Sequence, residues 1–226
     1  MLENNLATNL FKTQMRDSLL KETKNTQSIN IAKHTNVYQI GDEIKLVYFI
    51  ESGEVKLVTK STEGKACTVV IHSAGDVFGE LCLSGSADRQ ETATTMEATV
   101  LKQVPCGKFL ERLGRDSLLV GFIKYLTVRI ADQQVVITNL ATGDAEQRLG
   151  QILLQIARKH GKKDRRNLRI ELRIFHGEWA SMVGTTRPRV SLFMQRFRNL
   201  GLIKLNDERQ LIIKEHKLVA YLAGRA

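Results

Sequence analysis

Between Leu119 and Leu140 the apolar side chains recur on a strict seven-residue repeat. Leu119, Ile123, Leu126, Ile130, Ile137 and Leu140 follow one another at alternating steps of four and three, with Gln133 at the single polar position of the series. This is the a/d seam of a helix, and it predicts one helix over 117–142 with Gly121 its only Gly or Pro. A seam this regular, broken once by an amide, points to a helix that meets its own symmetry mate, where a lone buried polar side chain sets register. Gly143 then supplies a C-cap and Asp144 an N-cap, which marks a hinge. The helix therefore divides a chain of 226 residues into two parts, each long enough to bury its own core.

Before the helix the period is two. Leu46–Ile50, Val55–Thr59, Ala66–Ile71 and Thr99–Val104 are short, rich in β-branched and aromatic residues, and separated by Gly-containing turns at Gly53, Gly64 and Gly75. Short strands at this spacing predict an all-β roll, sandwich or barrel. Residues 1–30, rich in Asn, Thr and Lys, read as a short helix or mobile arm. The expected organisation is an arm over 1–30, a β domain over 31–114, the long helix and hinge over 115–143, and a C-terminal domain over 144–226.

The charge is distributed unevenly between these parts. The net charge is +10, and residues 144–226 hold 18 Lys and Arg against 8 Asp and Glu, while the rest of the chain holds 16 of each. A basic domain on a neutral body is the electrostatic footprint of a module that binds a polyanion. The local pattern identifies the polyanion as double-stranded DNA. After a helix over Ala145–His160 with Leu149, Ile152, Leu153, Ile156 and Ala157 on one face, and a strand over Leu168–Ile174, the stretch from His176 reads as helix, turn at Gly184, helix. Thr186 stands at the second N-cap with Pro188 in the first turn. Val190, Phe193, Met194 and Phe197 form the inward face, while Thr185, Thr186, Arg187, Arg189, Ser191, Gln195, Arg196 and Arg198 are the expected DNA-contacting residues. Leu202–Leu205 and Gln210–Ile213 make a hairpin wing.

Other classes of function find little support. His and Cys occur at no metal-ligand or nucleophile–base spacing, so no catalytic residue, metal or redox cofactor is expected. Cys67, Cys82 and Cys106 show no CxxC pair and read as buried thiols in a reducing compartment. No apolar run approaches the length of a membrane span, and Met1–Lys12 lacks the charge and apolar pattern of a signal peptide, so a cytoplasmic protein is expected.

Gly53-Glu-Val-Lys-Leu57, Gly75-Asp-Val-Phe-Gly-Glu80, the seam helix, Leu149-Gly-Gln-Ile-Leu-Leu154 and Val183-Gly-Thr-Thr-Arg-Pro-Arg-Val190 together resemble the bacterial Crp–Fnr family of transcription regulators, over about residues 35–215. The resemblance implies an α+β chain: an N-terminal cyclic-nucleotide-binding-type β-roll, a dimerisation helix and a C-terminal winged helix-turn-helix. It implies a homodimer on a pseudo-palindromic site with half-sites about 34 Å apart, acting with RNA polymerase or another transcription factor. It also implies a small effector held by Phe78, Gly79, Glu80, Leu81, Cys82, Arg89 and Gln90 of the roll and by Gln133 and Gln134 of the helix. Glu80 would accept from a ribose hydroxyl and Arg89 would neutralise a phosphate. The chain departs from cAMP-binding members at Gln90-Glu91, where a small hydroxyl residue usually follows the arginine, and at Gln133-Gln134, where a Thr-Ser pair is usual. Three outcomes remain open: cAMP or cGMP, a cyclic dinucleotide such as cyclic di-GMP, or no ligand at all. In the last case the chain is a ligand-independent regulator or a signalling module that pairs with another regulator. An iron–sulfur cluster is not expected, because residues 1–66 contain no cysteine, and His72, alone on a strand, reads as structural.

Overall fold

The structure is a computed structural model and describes residues 2–21, 27–85, 88–115, 118–164 and 166–224, with side chains from residue 8 onward. The chain forms two compact units, 1–132 and 133–226.

The first unit is built on two antiparallel four-stranded sheets. The strands are β1 (Gln27–Ile31), β2 (Asn36–Tyr38), β3 (Leu46–Ser52), β4 (Glu54–Lys60), β5 (Ala66–Ser73), β6 (Val77–Phe78), β7 (Thr92–Thr95) and β8 (Thr99–Pro105). One sheet runs β1-β8-β3-β6 and the other β2-β7-β4-β5. The alternation on β3 assigns its two faces. Tyr48 and Ile50 point into the roll with Tyr38, Val55, Leu57, Phe78, Ala93 and Leu101. Val47 and Phe49 point the other way, into a second core built by helices.

That second core decides between the two readings of the N-terminal segment in favour of a helix: α1 (Leu2–Lys21) carries Phe11, Met15 and Leu19, each at most 1% exposed, into the helical core. There Phe11 meets Phe122 and Tyr125 with ring centroids 5.6 and 5.1 Å apart. Polar contacts fix the same helix. Lys12 Nζ lies 2.8 Å from Asp76 Oδ1, and Arg112 Nη1 donates to the Ser18 carbonyl at 2.7 Å. Strand β1 also falls within the supposed arm and pairs along its length with β8. The core is completed by α2 (Cys106–Arg115) and the first half of α3 (Leu119–Thr142), through Phe109, Leu113, Phe122 and Tyr125.

The seam of α3 is outward-facing in the single chain. Leu119, Ile123, Ile130, Ile137 and Leu140 are 46–63% exposed, while Leu126 packs on the helical core. Large apolar side chains left in water in a row are uncommon on a protein surface and in general mark an interaction site.

The second unit consists of α4 (Ala145–His160), β9 (Lys162–Asp164), β10 (Asn167–Ile170), α5 (His176–Val183), α6 (Arg187–Asn199), β11 (Ile203–Leu205), β12 (Leu211–Ile213) and α7 (Glu215–Ala223). Its sheet runs β11-β12-β10-β9. Strand β10 stops at Ile170, four residues before the expected end, where Glu171 turns outward to Lys162 and Arg169.

Candidate nucleic-acid interface and effector pocket

Asp144 starts α4 with a capping box. Its carboxylate accepts from the Glu146 and Gln147 amides at 2.8 Å, and Gln147 Oε1 accepts from the Asp144 amide. Leu149, Leu153 and Ala157 on α4 are fully buried with Val183, Val190, Phe197 and Ile213, so the core clamps α5 and α6 against α4. Gly184 ends α5 at φ 69°, a left-handed turn that only a residue without a Cβ makes at no cost. Thr186 occupies the N-cap of α6, but its hydroxyl makes no capping bond; Pro188 in the first turn fixes the helix start instead.

Thr186, Arg187, Arg189, Gln195, Arg196 and Arg198 are exposed, and Thr185 is half-buried. Three of the expected contact residues also have partners within the unit. Ser191 is half-buried and lies 2.8 Å from His176 Nδ1, so its hydroxyl positions α6 on α5. Arg196 Nη1 lies 3.4 Å from Glu146 Oε2, a buried carboxylate that also accepts from Tyr221 at 2.7 Å. Phe193 is half-buried rather than part of the inner face, with the Arg189 guanidinium 5.9 Å from its ring centre. His176, Glu146 and Tyr221 are the supports that the sequence did not disclose, since their hydrogen bonds join residues 15 to 75 positions apart, beyond the reach of local pattern. Burial and the neighbouring Arg198 and Arg187 cations hold the His176 imidazole below its ordinary range.

In the roll, Phe78 is fully buried and stacks on Tyr48 with centroids 5.0 Å apart. Gly79 follows at φ 77°; a Cβ there would lie 3.1 Å from the Leu46 carbonyl oxygen and 3.0 Å from Arg89 Nη1. Glu80, Leu81 and Cys82 continue into a short 3-10 helix over Glu80–Ser84. Leu81 is exposed, and burial together with the neighbouring Cys106 pushes the Cys82 thiol up to about 12.

Arg89 is engaged by the backbone of the roll itself. It is 4% exposed, its Nη1 donates to the Gly79 carbonyl at 2.7 Å, and its Nη2 donates to the Leu46 carbonyl. Its guanidinium lies 4.2 Å from the centre of the Tyr38 ring. Glu80, expected to accept from a ribose, is paired with Arg129 Nη1 of α3 at 2.7 Å. The next carboxylate, Glu91, accepts from the Tyr38 hydroxyl at 3.0 Å and is pushed above its ordinary range by burial. Arg129 is thus paired with Glu80, and both Arg89 and Arg129 lie close enough to Glu91 to favour its charged form against burial. Gln90 is exposed and donates to the Asp88 carbonyl. Gln133 and Gln134 are exposed on the part of α3 that belongs to the second unit. His72 is buried against Phe78, its Nδ1 3.5 Å from Asp76 Oδ2, in keeping with a structural role. Among the described residues no group of three or more His, Cys, Asp or Glu is placed to hold a metal ion, and no helix is long and apolar enough to cross a membrane.

A β-roll with a Gly-Glu cassette, a long apolar-edged helix and a winged helix-turn-helix define a DNA-binding transcription regulator with an N-terminal sensing domain, not an enzyme. The chain matches the cyclic nucleotide-binding domain over residues 28–116 and the Crp-like helix-turn-helix domain over 147–221. It is 26% identical over 87% of its length to electron transport regulator A of Shewanella oneidensis, covering 78% of that protein. It is also 26% identical to a CRP-like cAMP-activated global transcriptional regulator of Mycobacterium tuberculosis, over 87% of this chain and 88% of that one. Among solved structures, a CooA variant from Carboxydothermus hydrogenoformans superposes with a TM-score of 0.76 at 25% identity, over 91% of this chain and 94% of that one. The chain belongs to the Crp–Fnr family of transcription regulators.

Proposed function

We propose that this chain is a cytoplasmic homodimeric regulator that binds a pseudo-palindromic duplex, with α3 as the dimer seam and α6 in the major groove of each half-site. The exposed apolar edge of α3 carries this reading. Placing a carboxylate on that edge, Ile130→Glu, is expected to give a folded monomer in light scattering that no longer binds a palindromic site. A variant that remains dimeric refutes the seam.

For the roll, we propose that its own charges hold it closed and that DNA binding does not require a cyclic nucleotide. The supporting observation is Arg89, whose terminal nitrogens are engaged by the Gly79 and Leu46 carbonyls beside the neutralised Glu80–Arg129 pair. A second reading draws on the left-handed Gly79 and the cAMP-activated mycobacterial relative. In that reading a cyclic nucleotide or dinucleotide pulls Arg89 off those carbonyls, and it acts only by binding the opened arrangement more tightly than the closed one. Calorimetric titration with cAMP, cGMP and cyclic di-GMP, paired with DNA-binding anisotropy, separates the two. The closed roll gives no binding heat and unchanged DNA affinity; heat together with tighter DNA binding overturns it in favour of the second reading.

A further inference from the structure

The buried stripe of α6 is Val190, Met194 and Phe197, all at most 4% exposed, at helical steps of four and three. The opposite stripe is therefore Pro188, Leu192, Gln195 and Asn199, at steps of four, three and four, and all of these are exposed. The arginines flank this stripe instead of occupying it: Arg187 and Arg198 on one side, Arg189 and Arg196 on the other. Those on the second side are drawn towards Phe193 and Glu146 respectively. The foremost large side chain is Leu192, 61% exposed. A leucine so placed adds little to the fold, and it gains from desolvation only when a partner covers it. Between two rows of guanidiniums that partner is a polyanion, and the apolar feature of a DNA major groove is the thymine 5-methyl group. One turn further on, Gln195 faces the same way and matches the N6 and N7 edge of adenine.

Resting on the reading of α6 as the groove-binding helix, we propose that Leu192 is a specificity-determining residue. It packs on the 5-methyl group of one thymine in each half-site, so that A·T pairs are read at the centre of the helix and the arginines serve its flanks.

The test uses the full chain. Wild-type protein selects its site from a pool of random-sequence duplexes. Each symmetry-related pair of thymines in the enriched site is then replaced by deoxyuridine, which removes only the methyl groups. Wild type, L192A and L192M are titrated on every duplex by fluorescence anisotropy, after circular dichroism has shown equal helix content. Losing one buried methyl contact is expected to weaken binding about fourfold per half-site, and so about 16-fold for the pair, at one pair of positions. L192A should bind the parent site more weakly and change less than about twofold on that substitution, while L192M keeps the sensitivity. If L192A responds to deoxyuridine at every position as wild type does, or wild type responds at none, Leu192 does not read a thymine methyl. If no sequence is enriched, the sequence-specific reading of the protein falls along with this one.

Discussion

Arg89 separates a closed roll from one waiting for a phosphate, and Arg89→Met measures the difference. The substitution keeps an unbranched apolar stem but removes the guanidinium. Each charge-assisted bond to a carbonyl contributes about 1.5–3 kcal/mol, and Arg89 makes such bonds to Gly79 and Leu46. Its desolvated stack on Tyr38 adds about 2 kcal/mol. Against this stands the cost of holding a guanidinium at 4% exposure, which the variant no longer incurs. The variant also leaves the buried Glu91 with Arg129 as the remaining one of the two cations that favour its charged form, which adds to the loss. The net destabilisation of the roll is about 3–5 kcal/mol, in the range found when one partner of a buried charged pair is removed. With a urea dependence of about 2 kcal/mol/M, the unfolding midpoint of the β-roll, followed by circular dichroism, should fall by about 1.5–2.5 M. The protein has one tryptophan, Trp179, buried in the second unit, so its fluorescence transition should stay in place and serve as an internal control. A shift of the roll below about 0.5 M would mean that Arg89 is loosely held, and the closed reading would fail.

Other perturbations test separate parts of the structure. Burial and the neighbouring Glu97 push the Glu54 carboxyl up to about 7 from an ordinary 4.5. The folded state therefore favours the protonated form, and the penalty grows as pH rises from 4.5 to 7 and is complete above 7. Glu54→Gln should accordingly raise the roll's stability at pH 8 by about 1–2 kcal/mol after allowance for solvent screening, with the gain gone at pH 4.5; a gain independent of pH in thermal melts refutes this. Phe11→Ala should cost about 3–5 kcal/mol in the roll's urea transition, whereas a mobile arm would show no effect. Arg187→Ala should cost about 1–3 kcal/mol on the specific site and little on random DNA. Arg198→Ala should weaken both alike and lower the salt dependence by about one phosphate; equal losses from Arg187→Ala on the two DNAs would make it a phosphate contact.

What could be read from the sequence was whatever repeats or punctuates. The seven-residue repeat located α3, and Gly184 with Pro188 located the turn and the start of α6, because periodicity and backbone chemistry are local. Helix α1 could be offered only beside a mobile arm, because the buried Phe11, Met15 and Leu19 adjoin Leu10 and Leu20, which face solvent, so no clean apolar stripe stands out in the sequence. Strands β6 and β7, of 2 and 4 residues, are too short to show a period. The state of Arg89 was hidden for a different reason. A sequence gives the charge but not its partners, and the Leu46 carbonyl lies 43 residues away along the chain. The same holds for Glu146 and Arg196, 50 residues apart.

The burial of α1 also bears on how the molecule is made. Its apolar stripe leaves the ribosome well before much of the surface that covers it: Arg112 lies 94 residues beyond Ser18, and Phe122 later still. At a synthesis rate of about 5–20 residues per second, Phe11, Met15 and Leu19 spend several seconds without their native neighbours. The roll thus cannot close around a finished core until the first turns of α3 are synthesised, and nascent chains enter a window in which those three side chains are open to chaperones or to one another.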